Sequence, residues 1–143
     1  MRFQVHVTAA GSRARAATLV TARGIAIETP IFMPVGTRAT VRTQTLAQLE
    51  RLGAPIILAN TYHLMVRPGI EVFERFGGLH AWMKWPHAIL TDSGGFQIFS
   101  LGGALAEAGA ELRMHGRGPD SLTPERSIAM QRAIGSDIMM VLD

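Results

Sequence analysis

Apolar and polar residues alternate through the opening MRFQVHVT, with Phe3, Val5 and Val7 in phase. A period of two predicts a β-strand. GSRARA supplies a turn after it, ATLVTA a second extended run, and Arg23-Gly24 another turn. IAIETPIFMPV is extended again, and its prolines limit how much of it can enter a central ladder. Residues 1–35 are therefore expected to supply antiparallel sheet elements.

From residue 36 onward, helical periods alternate with short apolar runs. Thr45 is placed to cap a helix through LAQLERL, which Gly53 stops. PIILAN is an apolar run ending at Asn60; IEVFERF reads as a helix between RPG and Gly77-Gly78; HAIL leads to Thr91-Asp92. A glycine-rich loop follows, then ELRMHGRGPDSLT, which reads as a small hairpin or excursion. Thr123, Pro124 and Glu125 make a helix start, with a cap, a proline at the first position and an acid in the first turn. The helix SIAMQRAI should bury Met130, Ala133 and Ile134 and end at Gly135, and DIMMVL should form a strand ending at Asp143.

Three apolar strands, each preceded by a helix, predict a parallel sheet covered on both faces. In such α/β folds the C-terminal ends of the strands share one rim, and ligands sit there. Asn60, Asp92 and Asp143 are the polar residues expected on that rim.

Composition narrows the class. The chain of 143 residues is long enough for one domain, and 48% of it is apolar, as in a globular protein. No apolar run approaches the roughly 18 residues of a membrane span, and the N-terminus lacks the apolar block of a signal peptide. A cytoplasmic protein without membrane contact is expected. There is no cysteine, which excludes disulfide and thiolate chemistry within these residues. The five histidines show no HxxxH or HExxH spacing, so solvated or capping roles are expected for them and no metal site. The net charge is +3, and of the 14 basic residues only Lys84 is lysine. Arginine suits phosphate recognition, but these arginines are scattered, so charge permits a nucleic-acid partner without demanding one. The chain stops on the apolar DIMMVLD, which leads us to expect a fragment.

The segment LTDSGGFQIFS, Leu90 to Ser100, carries the most chemistry. Asp92 would project a carboxylate from a strand end. Gly94-Gly95 would let backbone N–H groups approach a ligand, Ser93 adds a hydroxyl, and Phe96 offers a flat face for a base. DSGG is also an ordinary turn, with Phe96 and Phe99 as core, and composition does not separate the two readings. It is not a phosphate loop, since the lysine of GxxxxGKS/T is absent and an aspartate would repel phosphate. A carboxylate suits an N–H-rich ligand such as the edge of a guanine-like base. Asp143, as a second acid on the rim, would suggest acid–base work on a glycosidic bond or on a base.

Four blocks in register resemble one family: ETPIFMPVGT (Glu28 to Thr37), GAPIILANTYHLMVRPG (Gly53 to Gly69), LTDSGGFQIFSL (Leu90 to Leu101) and LTPERSIAMQRAIGSDIMMVLD (Leu122 to Asp143). They are similar to bacterial tRNA-guanine transglycosylase, the queuine tRNA-ribosyltransferase, in its N-terminal part. The resemblance implies a TIM (β/α)8 barrel, here incomplete, with an N-terminal antiparallel sheet and residues 36–143 as the first barrel strands and helices. It implies exchange of guanine at the tRNA wobble position for the queuosine precursor preQ1, through an aspartate that attacks ribose C1′. By position, Asp92 matches the proton acceptor, Ser93, Gly94, Gly95 and Phe96 the wall of the base pocket, and Asp143 the carboxylate that meets the base edge. Asn60 is a supporting candidate on the same rim.

The nucleophile, the tRNA-contacting loops and a structural zinc held by three cysteines and a histidine, one per subunit, are implied beyond residue 143. A homodimer with one subunit serving the tRNA is implied too. GGALAEAGAELRMHGRGPDS (102–121) departs most from the family pattern. The isolated chain is expected to be inactive and poorly folded, because its sheet edges are uncovered. Two other classes stand beside this one: a non-catalytic accessory or RNA-binding subunit of the same fold, and an unrelated small α/β binding domain.

Overall fold

The computed structural model describes residues 1–106, 109–112 and 120–142. Strands β1 (Arg2–Thr8), β2 (Arg15–Val20) and β3 (Ala26–Thr29) form the expected antiparallel sheet in that order. Its buried side rests on Ala17 and Ile27, whereas Phe3, Val5 and Val7 of the edge strand β1 are exposed. Alternation therefore marks the strand correctly without marking a buried face.

Helix α1 (Leu46–Arg51) starts at Thr45 with a full capping box: the Gln48 N–H donates to Thr45 Oγ1 and the Thr45 N–H to Gln48 Oε1. Strand β4 (Ile56–Ala59) follows, and then three short helices, α2 (Thr61–Val66), α3 (Ile70–Phe76) and α4 (Leu79–Met83). Of these three, the sequence pattern predicts only α3. Strand β5 (Ala88–Thr91) pairs in parallel with β4, Ile56 opposite Ala88 and Ala59 opposite Thr91. The stretch expected to be a glycine-rich loop is instead helix α5 (Gly95–Ser100).

An antiparallel excursion of β6 (Ala104–Ala106), β7 (Gly109–Leu112) and β8 (Asp120–Leu122) leads to α6 (Pro124–Ile134). Thr123 caps α6 by accepting from the Arg126 N–H, and Gly135 ends it in the left-handed region at φ 74°. The last strand, β9 (Ile138–Met139), pairs in parallel with β5.

The parallel sheet runs β4-β5-β9, and the segment Pro34 to Gly36 adds to its free edge through a parallel bridge of Val35 with Leu58. Among the described residues this sheet does not close on itself. Its main core joins Ile57, Ala59 and Ile89 to Leu64, Phe73, Leu79, Met130 and Ile134 from the helices and to Trp85 from the connection after α4. A second cluster packs Ile27 of the antiparallel sheet against Ile56 and Ala88 at the starts of β4 and β5. The antiparallel sheet thus lies at the N-terminal end of the parallel strands, away from the rim. Met130 and Ile134 are buried as expected and Ala133 only partly, while Ser127 and Gln131 share their face.

One expectation fails in part. The strand read from DIMMVL to Asp143 ends at Met139, and Met139, Met140 and Val141 are exposed. The physical reason is a side chain. The Met140 carbonyl accepts from Gln131 Nε2 (2.9 Å), and its N–H points at both Gln131 Oε1 (3.0 Å) and the Thr91 carbonyl (3.1 Å). Register puts Met140 level with Asn60 and Asp92.

Candidate active site

The parallel register carries Asn60 and Asp92 to the rim together, because Ala59 pairs with Thr91 one residue earlier. Asn60 Nδ2 donates to Asp92 Oδ2 (2.5 Å), and the Thr61 N–H donates to Oδ1 (2.9 Å). The Gly94 N–H gives the carboxylate a further donor. From the other side, the Thr61 hydroxyl donates to the Asp92 carbonyl. Asn60 also works through its other amide atom, since its Oδ1 caps α2 by accepting from the His63 N–H (2.9 Å). One amide thus orients a helix and a carboxylate at once.

Among the described residues no Lys or Arg forms an ion pair with Asp92. Burial pushes its carboxyl above the ordinary 3.8, and the Thr61 and Gly94 N–H groups, nearby His63 and Asn60 offset this only in part. His63, one turn into α2, is half-buried. Burial, and then Arg38, hold its imidazole below the usual 6.5 against the pull of Asp92. At neutral pH it is an uncharged neighbour.

Gly94 is required twice over. Its φ of +83° lies in the left-handed region, and a Cβ there would sit 3.0 Å from Tyr62 Cβ and 3.1 Å from Leu122 Cδ2. The turn after Asp92 is thereby pressed between α2 and β8. Ser93 is buried, its Oγ accepting from the Gly95 N–H (3.3 Å) and its carbonyl from the Ser127 hydroxyl (2.8 Å).

Phe96 and Phe99 are not core residues: they are 72% and 85% exposed on α5, and Ile98 is the residue that packs inward. The packing alternative for these two rings fails, and an open ring at Phe96 leaves the stacking role available. Asp143 lies outside the described residues.

Sequence reasoning passes over four residues here: Thr61, His63, Ser127 and Gln131. Two of them carry a signal. Ser127 and Gln131 occupy the i, i+4 positions of the face that buries Met130 and Ile134, and polar residues in an apolar stripe call for buried partners. Thr61 and His63 carry none, because their importance comes from a neighbour across the sheet.

Comparison with known proteins gives these groups a setting. A family model described as queuine tRNA-ribosyltransferase matches residues 10–143. The chain belongs to the queuine tRNA-ribosyltransferase family. It is 53% identical over 99% of its length to the queuine tRNA-ribosyltransferase of Natranaerobius thermophilus, of which it covers 39%. Against that of Caldanaerobacter subterraneus it is 50% identical over its whole length, again covering 39%, and against that of Desulforudis audaxviator 52% over 99%, covering 38%. The chain thus spans about two fifths of the length of the curated relatives it matches. No helix among the described residues is long and apolar enough to cross a membrane.

Proposed function

We propose that these residues are the N-terminal part of a tRNA-guanine transglycosylase, which exchanges guanine at the anticodon wobble position for preQ1. The parallel strands would be the first of a TIM barrel, and the antiparallel sheet would cover the N-terminal end of its strands. The observation that carries the reading is the Asp92 carboxylate. It stands at a strand's C-terminal end, held among the described residues by neutral donors, with its affinity for a proton raised by burial.

Such a group suits a proton acceptor. In the exchange, an aspartate beyond residue 143 would bond to ribose C1′ as the C1′–N9 bond breaks, and guanine would leave with a proton taken up from solvent. The incoming base would then form its N–C1′ bond as the C1′–O bond to that aspartate breaks, and its N–H proton would pass to Asp92. Ser93, Gly94 and Gly95 would wall the base pocket, Phe96 would offer its open ring to the base, and Asp143 would accept from the base edge. Asn60 supports Asp92 by orienting it. tRNA, guanine and preQ1 are the proposed partners, in a cytoplasmic homodimer.

Zinc does not fit the residues in hand. A thiolate site needs cysteine and the chain has none, and among the described residues no three His, Asp or Glu side chains converge. The proposed structural zinc therefore belongs to ligands beyond residue 143, and no step depends on it here.

The test is guanine exchange into tRNA by the full-length protein carrying Asp92→Asn. The expected result is near-complete loss of exchange with the folded state retained. Exchange at the parent rate would overturn the assignment.

A further inference from the structure

We propose that Gln131 is a positioning residue which locks the two sides of the base pocket to each other from beneath. This rests on the function proposed above. The Gln131 side chain is wholly buried on α6, yet it meets four polar groups. Its Oε1 accepts from the Thr91 hydroxyl (2.8 Å) and from the Met140 N–H (3.0 Å). Its Nε2 donates to the Met140 carbonyl (2.9 Å) and to Ser127 Oγ (3.1 Å). The Ser127 hydroxyl in turn donates a hydrogen bond to the Ser93 carbonyl (2.8 Å). The Thr91 hydroxyl also lies 2.7 Å from Ser136 Oγ.

Both acceptor positions of the amide oxygen and both of its N–H groups are therefore used, so the side chain has one orientation. The groups it reaches have a common feature. Thr91 and Ser93 are the residues on either side of Asp92, and Met140 directly follows β9, the neighbouring strand. Gln131 thus holds the residues before and after the proposed proton acceptor, directly at the Thr91 hydroxyl and through Ser127 at the Ser93 carbonyl. It also holds Met140 by both backbone polar groups, as a neighbouring strand would. From Met140 the chain continues three residues to Asp143. A buried network with every member satisfied holds one geometry, and loss of one member leaves the others unpaired.

Its purpose in a base-exchange site is to set the separation between the Asp92 corner and the strand that leads to Asp143. A pocket that reads a flat base edge by hydrogen bonds is sensitive to that separation, whereas the surface that meets the tRNA body is not. The role predicts a split. Base recognition should suffer and tRNA binding should not.

The experiment uses the full-length enzyme with Gln131→Met, which keeps the volume and removes the polar contacts. KM is measured separately for guanine and for tRNA, together with the thermal midpoint. We expect the guanine KM to rise about tenfold with the tRNA KM within about twofold, a cost in line with slight misplacement of reacting groups. Combined with Asp143→Asn, the further rise should be much smaller than in the parent background, since both changes act on the same base contact. Ser127→Ala removes one hydroxyl and cuts only the arm to Ser93. It should show the same split at about threefold, and it decides the matter if Gln131→Met does not fold.

Equal changes in both KM values, or a loss of kcat that only follows the folded fraction, would reduce Gln131 to a packing residue and overturn the proposal. Full additivity with Asp143→Asn would do the same. If Asp143→Asn alone leaves the guanine KM unchanged, it is the role of Asp143 that fails. The split between base and tRNA in the two single variants then still decides the role of Gln131.

Discussion

Two aspartates stand at opposite ends of the same short sheet, and their surroundings differ in kind. Asp92 follows the C-terminal end of β5, half-buried, with Asn60, Thr61 and Gly94 as neutral donors. Asp137 precedes β9 at the other end, its side chain wholly buried. There it accepts from the Ile89 N–H (2.9 Å), meets His80 Nε2 at 3.0 Å, and lies 3.5 Å from the Arg23 guanidinium. Arg23 comes from the turn between β2 and β3, so this carboxylate ties the antiparallel sheet to the parallel one. Burial, and then Arg23, lower the His80 pKa below 6.5, against the pull of Asp137. One carboxylate is walled in beside a cation and joins structural layers. The other has no cation paired with it among the described residues, is only partly buried, and has a raised proton affinity. Charge compensation separates the clamp from the proposed proton acceptor more sharply than burial does.

The contrast can be broken by exchanging what each residue loses. Asp92→Asn should cost exchange activity roughly 10³-fold or more, the scale of a lost acid–base group. Asp137→Ala should instead cost stability, about 1–3 kcal/mol, because the Ile89 N–H and the His80 ring lose their buried partner. Denaturant unfolding of the full-length protein measures the second, and its activity per folded molecule should stay near the parent value. An Asp137 variant that folds normally but no longer exchanges guanine would erase the distinction.

A smaller effect sharpens it. Asn60→Ala removes both a helix cap and a donor to Asp92, at a cost of about 1 kcal/mol from the cap. Since the Asn60 hydrogen bond lowers the Asp92 pKa, its loss should move the acid limb of the pH–rate profile to higher pH. An unmoved limb would mean that Asp92 is not the group titrating there.

The smallest effect is a linkage. Asp92 has a folded-state pKa above the unfolded one, so the folded state binds more protons between the two values. Its contribution to stability is therefore lost as pH rises through that window. Asp92→Asn does not titrate there, so the parent should lose ground to the variant over the same window. Thermal midpoints taken across mildly acidic pH check the sign.

Helix starts are legible in the sequence because capping is local chemistry: Thr45 with Gln48, and Thr123 with Pro124, lie within four residues of the backbone they satisfy. The three parallel strands are legible as apolar runs. Helix α2 is not, because Asn60 reads as the end of a strand before it reads as a cap, and in the fold it is both. Helix α5 is hidden by Gly94-Gly95, which suggests a loop. Only the packing of Tyr62 and Leu122 against Gly94 reveals why a glycine opens a helix there. The end of β9 is misjudged from sequence because DIMMVL looks the same whether a strand or a glutamine side chain takes its hydrogen bonds.

By itself, then, the sequence determined the helix boundaries set by caps, the alternation of helices with apolar strands, and the position of Asp92 at a strand end. It also carried the family, through long blocks kept in order. The tertiary structure decided which polar groups meet: Asn60 with Asp92 across 32 positions, Ser127 with Ser93 across 34, and His80 with Asp137 across 57. The reason is physical. Propensity and period act over a few residues, while a pKa and an oriented carboxylate depend on neighbours that only strand register and helix packing bring together.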